Sequence, residues 1–172
     1  MTLSRLFVLL LVTSAGIAAA QADTEPAPIE NKACGFRIAL PEHWKVTPSG
    51  HKSCVFTITS PAPSDGKVQL SLRDGTPEDG EKDLGFSQEN GRWMLHSVET
   101  VNAEGINSST WSGLQGTVTT KAADNTPGSV PLQETRALLV SHNNRIAEIT
   151  GEKENVVEGL AERFDFLPPS TP

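Results

Sequence analysis

Apolar and polar residues alternate over short stretches through most of this chain. Phe36, Ile38 and Leu40 face one way and Arg37 and Ala39 the other, until Pro41 ends the run. A period of two puts each set on one face of a strand. Trp44 and Val46 make a brief second segment, closed by Pro48-Ser49-Gly50. Cys54, Phe56 and Ile58 alternate with Val55, Thr57 and Thr59 before Pro61. Val68, Leu70 and Leu72 against Gln69, Ser71 and Arg73 form the clearest half-buried strand, and Ser64-Asp65-Gly66 before it is a turn sequence. Trp93 to Val101 has strand composition with imperfect alternation, which predicts a bulge. Trp111 to Thr120 places Leu114, Gly116, Val118 and Thr120 on one face. Leu132 to Ser141 and Arg145 to Thr150 flank His142-Asn143-Asn144, where Asn tolerates the positive φ of a tight hairpin.

Only the last element has helical spacing. Val156, Leu160 and Phe164 recur at i, i+4 and i+8, with Val157 and Ala161 beside them. Asn155 is placed to cap this helix, answered by Glu158 as in a capping box. Phe166 and Leu167 follow as a short tail segment before Pro168-Pro169. The acidic, Gly-containing stretch from Asp74 to Gly91 reads as loop with one helical turn around Leu84. The expected fold is therefore α+β: an antiparallel sheet of six or seven strands with a C-terminal helix packed on one face.

The chain opens on a different pattern. Arg5 precedes an unbroken apolar run from Leu6 to Val12, and Ala20-Gln21-Ala22 supplies an A-x-A site. This order predicts a secretory signal peptide over 1–22, cut after Ala22 or alternatively after Ala20. The run is interrupted by Thr13 and Ser14 and is shorter than the roughly 20 residues of a spanning helix. Residues 23–33 read as a flexible N-terminal segment, 34–167 as a single α+β domain and 168–172 as a tail. Export to the periplasm or outside the cell brings Cys34 and Cys54 to an oxidising compartment, so the two are expected to form a disulfide. The alternatives are a free reactive thiol and a two-thiolate metal site, for which His51, three residues before Cys54, is the only near ligand, without a second close pair.

The sequence Gly35-Phe36-Arg37-Ile38-Ala39-Leu40-Pro41-Glu42-His43-Trp44 resembles the opening strand of the PsbP/DcrB-like superfamily. The strands at Phe56–Ile58 and Val68–Leu72 and a late helix ending in Arg163-Phe164-Asp165-Phe166 are similar to that group's order. The resemblance implies an antiparallel sheet flanked by helices, in a family composed mostly of non-enzymatic binding or assembly factors. It transfers no site residue to this chain. The two cysteines and the weakly helical 74–91 segment depart from the family pattern.

Composition narrows the function further. The 172 residues carry 14 Lys+Arg and 21 Asp+Glu, a formal charge of -7, and no Tyr. An acidic surface disfavours nucleic acid and anionic membranes. Removing Arg5 with the leader makes the remaining chain more acidic still, and no membrane insertion is expected after signal removal.

No nucleophile elbow, H-E-x-x-H motif or phosphate loop is present. Ser49-Gly50-His51 sets a hydroxyl beside an imidazole in sequence, an arrangement that seldom places a base on its nucleophile. His43, His51, His96 and His142 fall at turns or strand ends, where His is usually solvated. His43, His51 and Glu42 could converge on a metal. Asp74, Glu78, Asp79, Glu81 and Asp83 invite a calcium reading but lack the Gly at loop position 6. Trp44, Trp93 and Trp111 are each expected in a thin core rather than on a ligand, with Trp111, amid Ser and Thr neighbours, the one candidate for exposure. Catalytic, cofactor and metal residues are thus read as none, with no cofactor required and the binding residues unassigned. The expected function is an exported, non-catalytic binding or assembly module of the cell envelope acting through a protein partner. A small secreted hydrolase with scattered catalytic groups is the alternative.

Overall fold

The computed structural model describes residues 27–50, 54–90, 92–95, 98–99, 101–120 and 132–168. The expected signal peptide, His51, His96 and residues 122–131 lie outside the described residues. In chain order the strands begin with β1 (Ile29–Asn31), β2 (Phe36–Ile38), β3 (Lys45–Pro48), β4 (Val55–Thr59) and β5 (Lys67–Asp74). Helix α1 (Pro77–Asp83) leads into β6 (Phe86–Glu89), β7 (Arg92–Leu95), β8 (Val98–Glu99), β9 (Val101–Asn107) and β10 (Ser112–Thr120). The chain continues with β11 (Leu132–Ser141), β12 (Arg145–Gly151), helix α2 (Glu154–Ala161) and β13 (Phe164–Phe166).

A seven-stranded antiparallel sheet, ordered β3-β4-β5-β12-β11-β10-β9, forms the centre. Its register lines up Phe56, Leu70, Ile149 and Ala137 across neighbouring strands, and likewise Leu72, Ala147 and Leu139. These side chains form the main core with Val157, Leu160 and Ala161 of α2 and with Phe36, Ile38 and Phe164 of the small sheet β1-β2-β13. The expected α+β arrangement, with its C-terminal helix on one sheet face, is the one observed. A smaller core lies on the opposite face, where Phe86 meets Leu114, Leu138 and Ile146 under α1. Gly80 is what lets α1 come so close: a Cβ there would sit 2.9 Å from Ile146 Cδ1.

Several local expectations change. The 74–91 stretch contains a capped helix followed by a strand. Asp79 N donates to Thr76 Oγ1 at 3.2 Å and Thr76 N to Asp79 Oδ2 at 3.3 Å, a reciprocal cap ahead of Pro77. Helix α2 starts earlier than its apolar stripe suggests: Lys153 occupies the N-cap without a side-chain bond, and Asn155 lies exposed inside the first turn. Phe164 and Phe166 belong to β13, where Phe166 pairs with Phe36 and Phe164 with Ile38. In the 23–33 segment, Ile29–Asn31 is a strand on the other edge of β2. The stretch from Trp93 divides into β7, β8 and the start of β9. The bulge comes just beyond it, where β9 carries two residues between the partners of Gln115 and Thr117 and β10 only one.

The β11–β12 hairpin follows its sequence. Ser141 pairs with Arg145 across a three-residue loop in which Asn144 takes φ 54° and Asn143 N donates to Ser141 Oγ at 3.3 Å. The Cys34–Cys54 disulfide is present, with Cα atoms 5.4 Å apart, and ties the β1–β2 turn to the residue preceding β4. Among the described residues no helix is long and apolar enough to cross a membrane.

Candidate functional site

The turn between β9 and β10 is fastened to the small sheet by two side chains. Trp111 Nε1 donates to the Phe164 carbonyl at 2.8 Å, and Thr110 Oγ1 donates to Asp165 Oδ1. Asp165 also receives the Arg37 guanidinium at 2.8 and 3.1 Å. Trp111 is consequently 6% exposed, packed in the core as expected and not turned to solvent as its polar neighbours allowed. Its polar neighbours suggested a loop, whereas the indole nitrogen finds a backbone acceptor far away in sequence. Trp44 is partly buried against the main core as expected, and the side chain of Trp93 lies outside the described residues.

This fastening shapes a cleft of about 410 Å³ between the β9–β10 edge and α2. Ile106 and Trp111 supply its apolar lining, Glu104 stands on β9, and Glu158 and Glu162 belong to α2 and its C-terminal end. Gln115 also lines the cleft while only 3% exposed, and its Nε2 donates to Glu158 Oε1 at 2.5 Å. Its neighbour on the same face, Thr117, donates to Glu154 Oε1 at 3.3 Å. Sequence reading placed Leu114 and Gly116 on the buried face of this strand. Both are buried, but so are Gln115 and Thr117, because α2 covers one side and α1 the other. The signal for them was a polar residue at alternate positions of a central strand, where both faces are covered. None of Glu104, Glu158 or Glu162 forms an ion pair among the described residues.

A second polar cluster occupies the uncovered part of the opposite sheet face. Arg136 holds Glu134 at 2.9 Å and lies 3.8 Å from Glu148. Burial pushes the Glu148 carboxyl above its ordinary value, opposed by Arg136 and reinforced by Glu134. Beside it, Thr57, Lys67, Gln69, Glu134 and Thr150 line a hollow of about 390 Å³.

Among the described residues, those singled out from sequence do not converge on a metal site. His43, at φ 68°, sits on an exposed turn with Nε2 3.3 Å from Glu42, and His142 is exposed in the β11–β12 hairpin. His51, the third member of that possible metal group and of Ser49-Gly50-His51, lies outside the described residues. Asp74 ends β5, while Glu78, Asp79 and Glu81 are spread along α1, with Asp79 committed to its cap. The Thr76 hydroxyl and backbone N–H lower the Asp79 pKa.

No protein-family model and no curated protein matches the sequence. Solved structures do resemble the fold. Cyanobacterial PsbP (CyanoP) from Synechocystis sp. PCC 6803 superposes with a TM-score of 0.52 at 12% identity, covering 91% of this chain and 98% of that one. A protein from Bacteroides thetaiotaomicron VPI-5482 gives 0.55 at 13% identity, covering 86% of this chain. The chain spans 50% of the Bacteroides protein's length. The fold of this chain is PsbP-like.

Proposed function

We propose that this chain is an exported, non-catalytic binding module of the cell envelope that engages a protein partner. The observation that carries the reading is the cleft between β9–β10 and α2, where three carboxylates without ion-pair partners among the described residues line a partly apolar pocket at a sheet edge. Such a surface suits an oppositely charged protein, and the net charge of -7 favours the same encounter at long range. The PsbP-like fold supports the module reading by analogy of architecture alone. A leader over 1–22, cut after Ala22 or Ala20, would deliver residues 34–167 as a single domain to the periplasm or the exterior. A disulfide is the kind of crosslink that such compartments maintain.

The test is affinity capture from an envelope fraction with the full chain as bait, in parallel with the Glu104→Gln/Glu158→Gln/Glu162→Gln variant. One protein retained by the natural chain, lost from the variant and weakened by salt is the expected result. Equal retention by both baits overturns the assignment of the cleft.

The hydrolase reading keeps one observation in its favour, the raised carboxyl of Glu148 beside Glu134 and the neighbouring hollow. Turnover of an ester, peptide or glycan substrate that disappears in Glu148→Gln would establish it.

A further inference from the structure

Resting on the protein-partner reading, we infer that the partner presents an extended basic segment. That segment adds as a strand to the open edge of β9 and directs a lysine or arginine side chain into the adjoining cleft.

The chemistry of the lining selects the side chain. Glu104, Glu158 and Glu162 offer only acceptor oxygens when ionised. Gln115 backs them, with its amide nitrogen donating to Glu158. A cationic N–H group satisfies these carboxylates together. Ile106 and Trp111 provide apolar surface for the methylene stem of such a side chain.

The backbone selects the extended form. Ser108 N donates to the Trp111 carbonyl at 2.8 Å, which makes 108 and 111 a hydrogen-bonded pair. Alternation along an antiparallel ladder then makes Ile106–Gly113 and Glu104–Gln115 the next bonded pairs. Gly105 and Asn107 are left with their N–H and C=O groups directed away from β10, and β9 is the last strand of the sheet order. An incoming strand pairs with those groups while its alternate side chains fall on the cleft side. Extended peptides without charge would meet the same edge, so the carboxylates supply the preference.

The probe is a synthetic peptide of alternating Thr and Arg residues, acetylated and amidated at its ends, titrated into the isotopically labelled full chain. Saturable binding that shifts the amides of 104–107 and the side-chain amide of Gln115 is expected. Glu104→Gln/Glu162→Gln, at two exposed positions, should weaken it about tenfold or more with thermal unfolding unchanged. The peptide N-methylated at alternate residues should lose the saturable shifts. Equal affinity for natural chain and variant, or for methylated and unmethylated peptide, overturns the inference. The two readings separate in the capture experiment. An envelope protein held equally by the natural chain and by Glu104→Gln/Glu162→Gln removes this inference and leaves the partner reading intact. No retained envelope protein, despite peptide binding at the cleft, removes the partner reading.

Discussion

The guanidinium of Arg145 donates to the carbonyl oxygen of Cys34, itself one half of the disulfide. A second bond, 2.9 Å long, runs to the Gly35 carbonyl, and the cation lies 5.6 Å from the centre of the Phe166 ring. The turn fits this cation because Gly35 takes φ 63° and has no Cβ, which would overlap the guanidinium. Covalent and polar ties thus hold one corner, where β1, β2 and β13 meet the start of β12.

Removing the corner's crosslink with Cys34→Ser/Cys54→Ser should cost about 3 kcal/mol, the loop-closure value for a separation of 20 residues. Arg145→Leu should cost roughly 1.5–3 kcal/mol through its charged hydrogen bonds. Because both fix the same turn, the combined variant should depart from additivity by about 0.5 kcal/mol or more. Denaturant unfolding of the four proteins checks this, and strict additivity would show that the two ties act independently.

Leu160→Ala should destabilise by about 2–5 kcal/mol, since the side chain is 2% exposed between α2 and the sheet. Asn155→Ala should change stability by no more than about 0.5 kcal/mol, because Asn155 is an exposed first-turn residue and Lys153 is the N-cap. Thermal unfolding of the pair separates a docked helix from a merely well-capped one.

Helix α1 carries a pH dependence. The Thr76 hydroxyl holds the Asp79 carboxyl below its ordinary value of 3.8, so the folded state favours the charged form. Its contribution is present above the ordinary value and fades as acid takes pH down through the lowered one. In Thr76→Ala the Asp79 titration, followed by carboxyl carbon NMR, should move up toward 3.8.

Glu148 behaves oppositely. Burial raises its carboxyl above 4.5, so the folded protein holds that proton more tightly than the unfolded chain does. Its contribution to stability grows as pH falls through the raised value and is complete below 4.5; at neutral pH its charge opposes folding. Glu134→Gln should lower the Glu148 pKa by removing a neighbouring negative charge and releasing Arg136 toward it. An NMR titration in which Glu148 stays fixed or rises would contradict the shared-cation geometry.

Period-two alternation made the central sheet legible, because Phe56–Ile58 and Val68–Leu72 obey it at their buried positions, whereas the β11–β12 hairpin buries Ala137, Leu138 and Leu139 in succession and Ile146 beside Ala147. Helix α1 was obscured by its composition: Pro-Glu-Asp-Gly-Glu-Lys-Asp carries no apolar stripe, and Leu84 and Phe86 beyond it supply much of the nearby apolar contact. The helix α2 stripe was readable, but its start was not, since its N-cap, Lys153, makes no side-chain bond. The cleft was invisible for another reason. Glu104, Gln115 and Glu158 meet through sheet register and helix docking, neither of which leaves a local spacing in the sequence. Trp111 illustrates the same limit, because its acceptor is 53 residues away.

The small sheet has β2 in the middle, with β1 on one side and β13 on the other. Its central ion pair, Arg37–Asp165, spans 128 residues. A chain emerging with its N-terminus first therefore makes β2 early and leaves one edge of it bare until nearly everything else has been delivered. Phe36 gains its stacked neighbour Phe164 only at that point. Completion of this part of the core therefore waits on β13, so Phe36 lacks its stacked partner and the free edge of β2 remains unpaired until residues 164–166 are made.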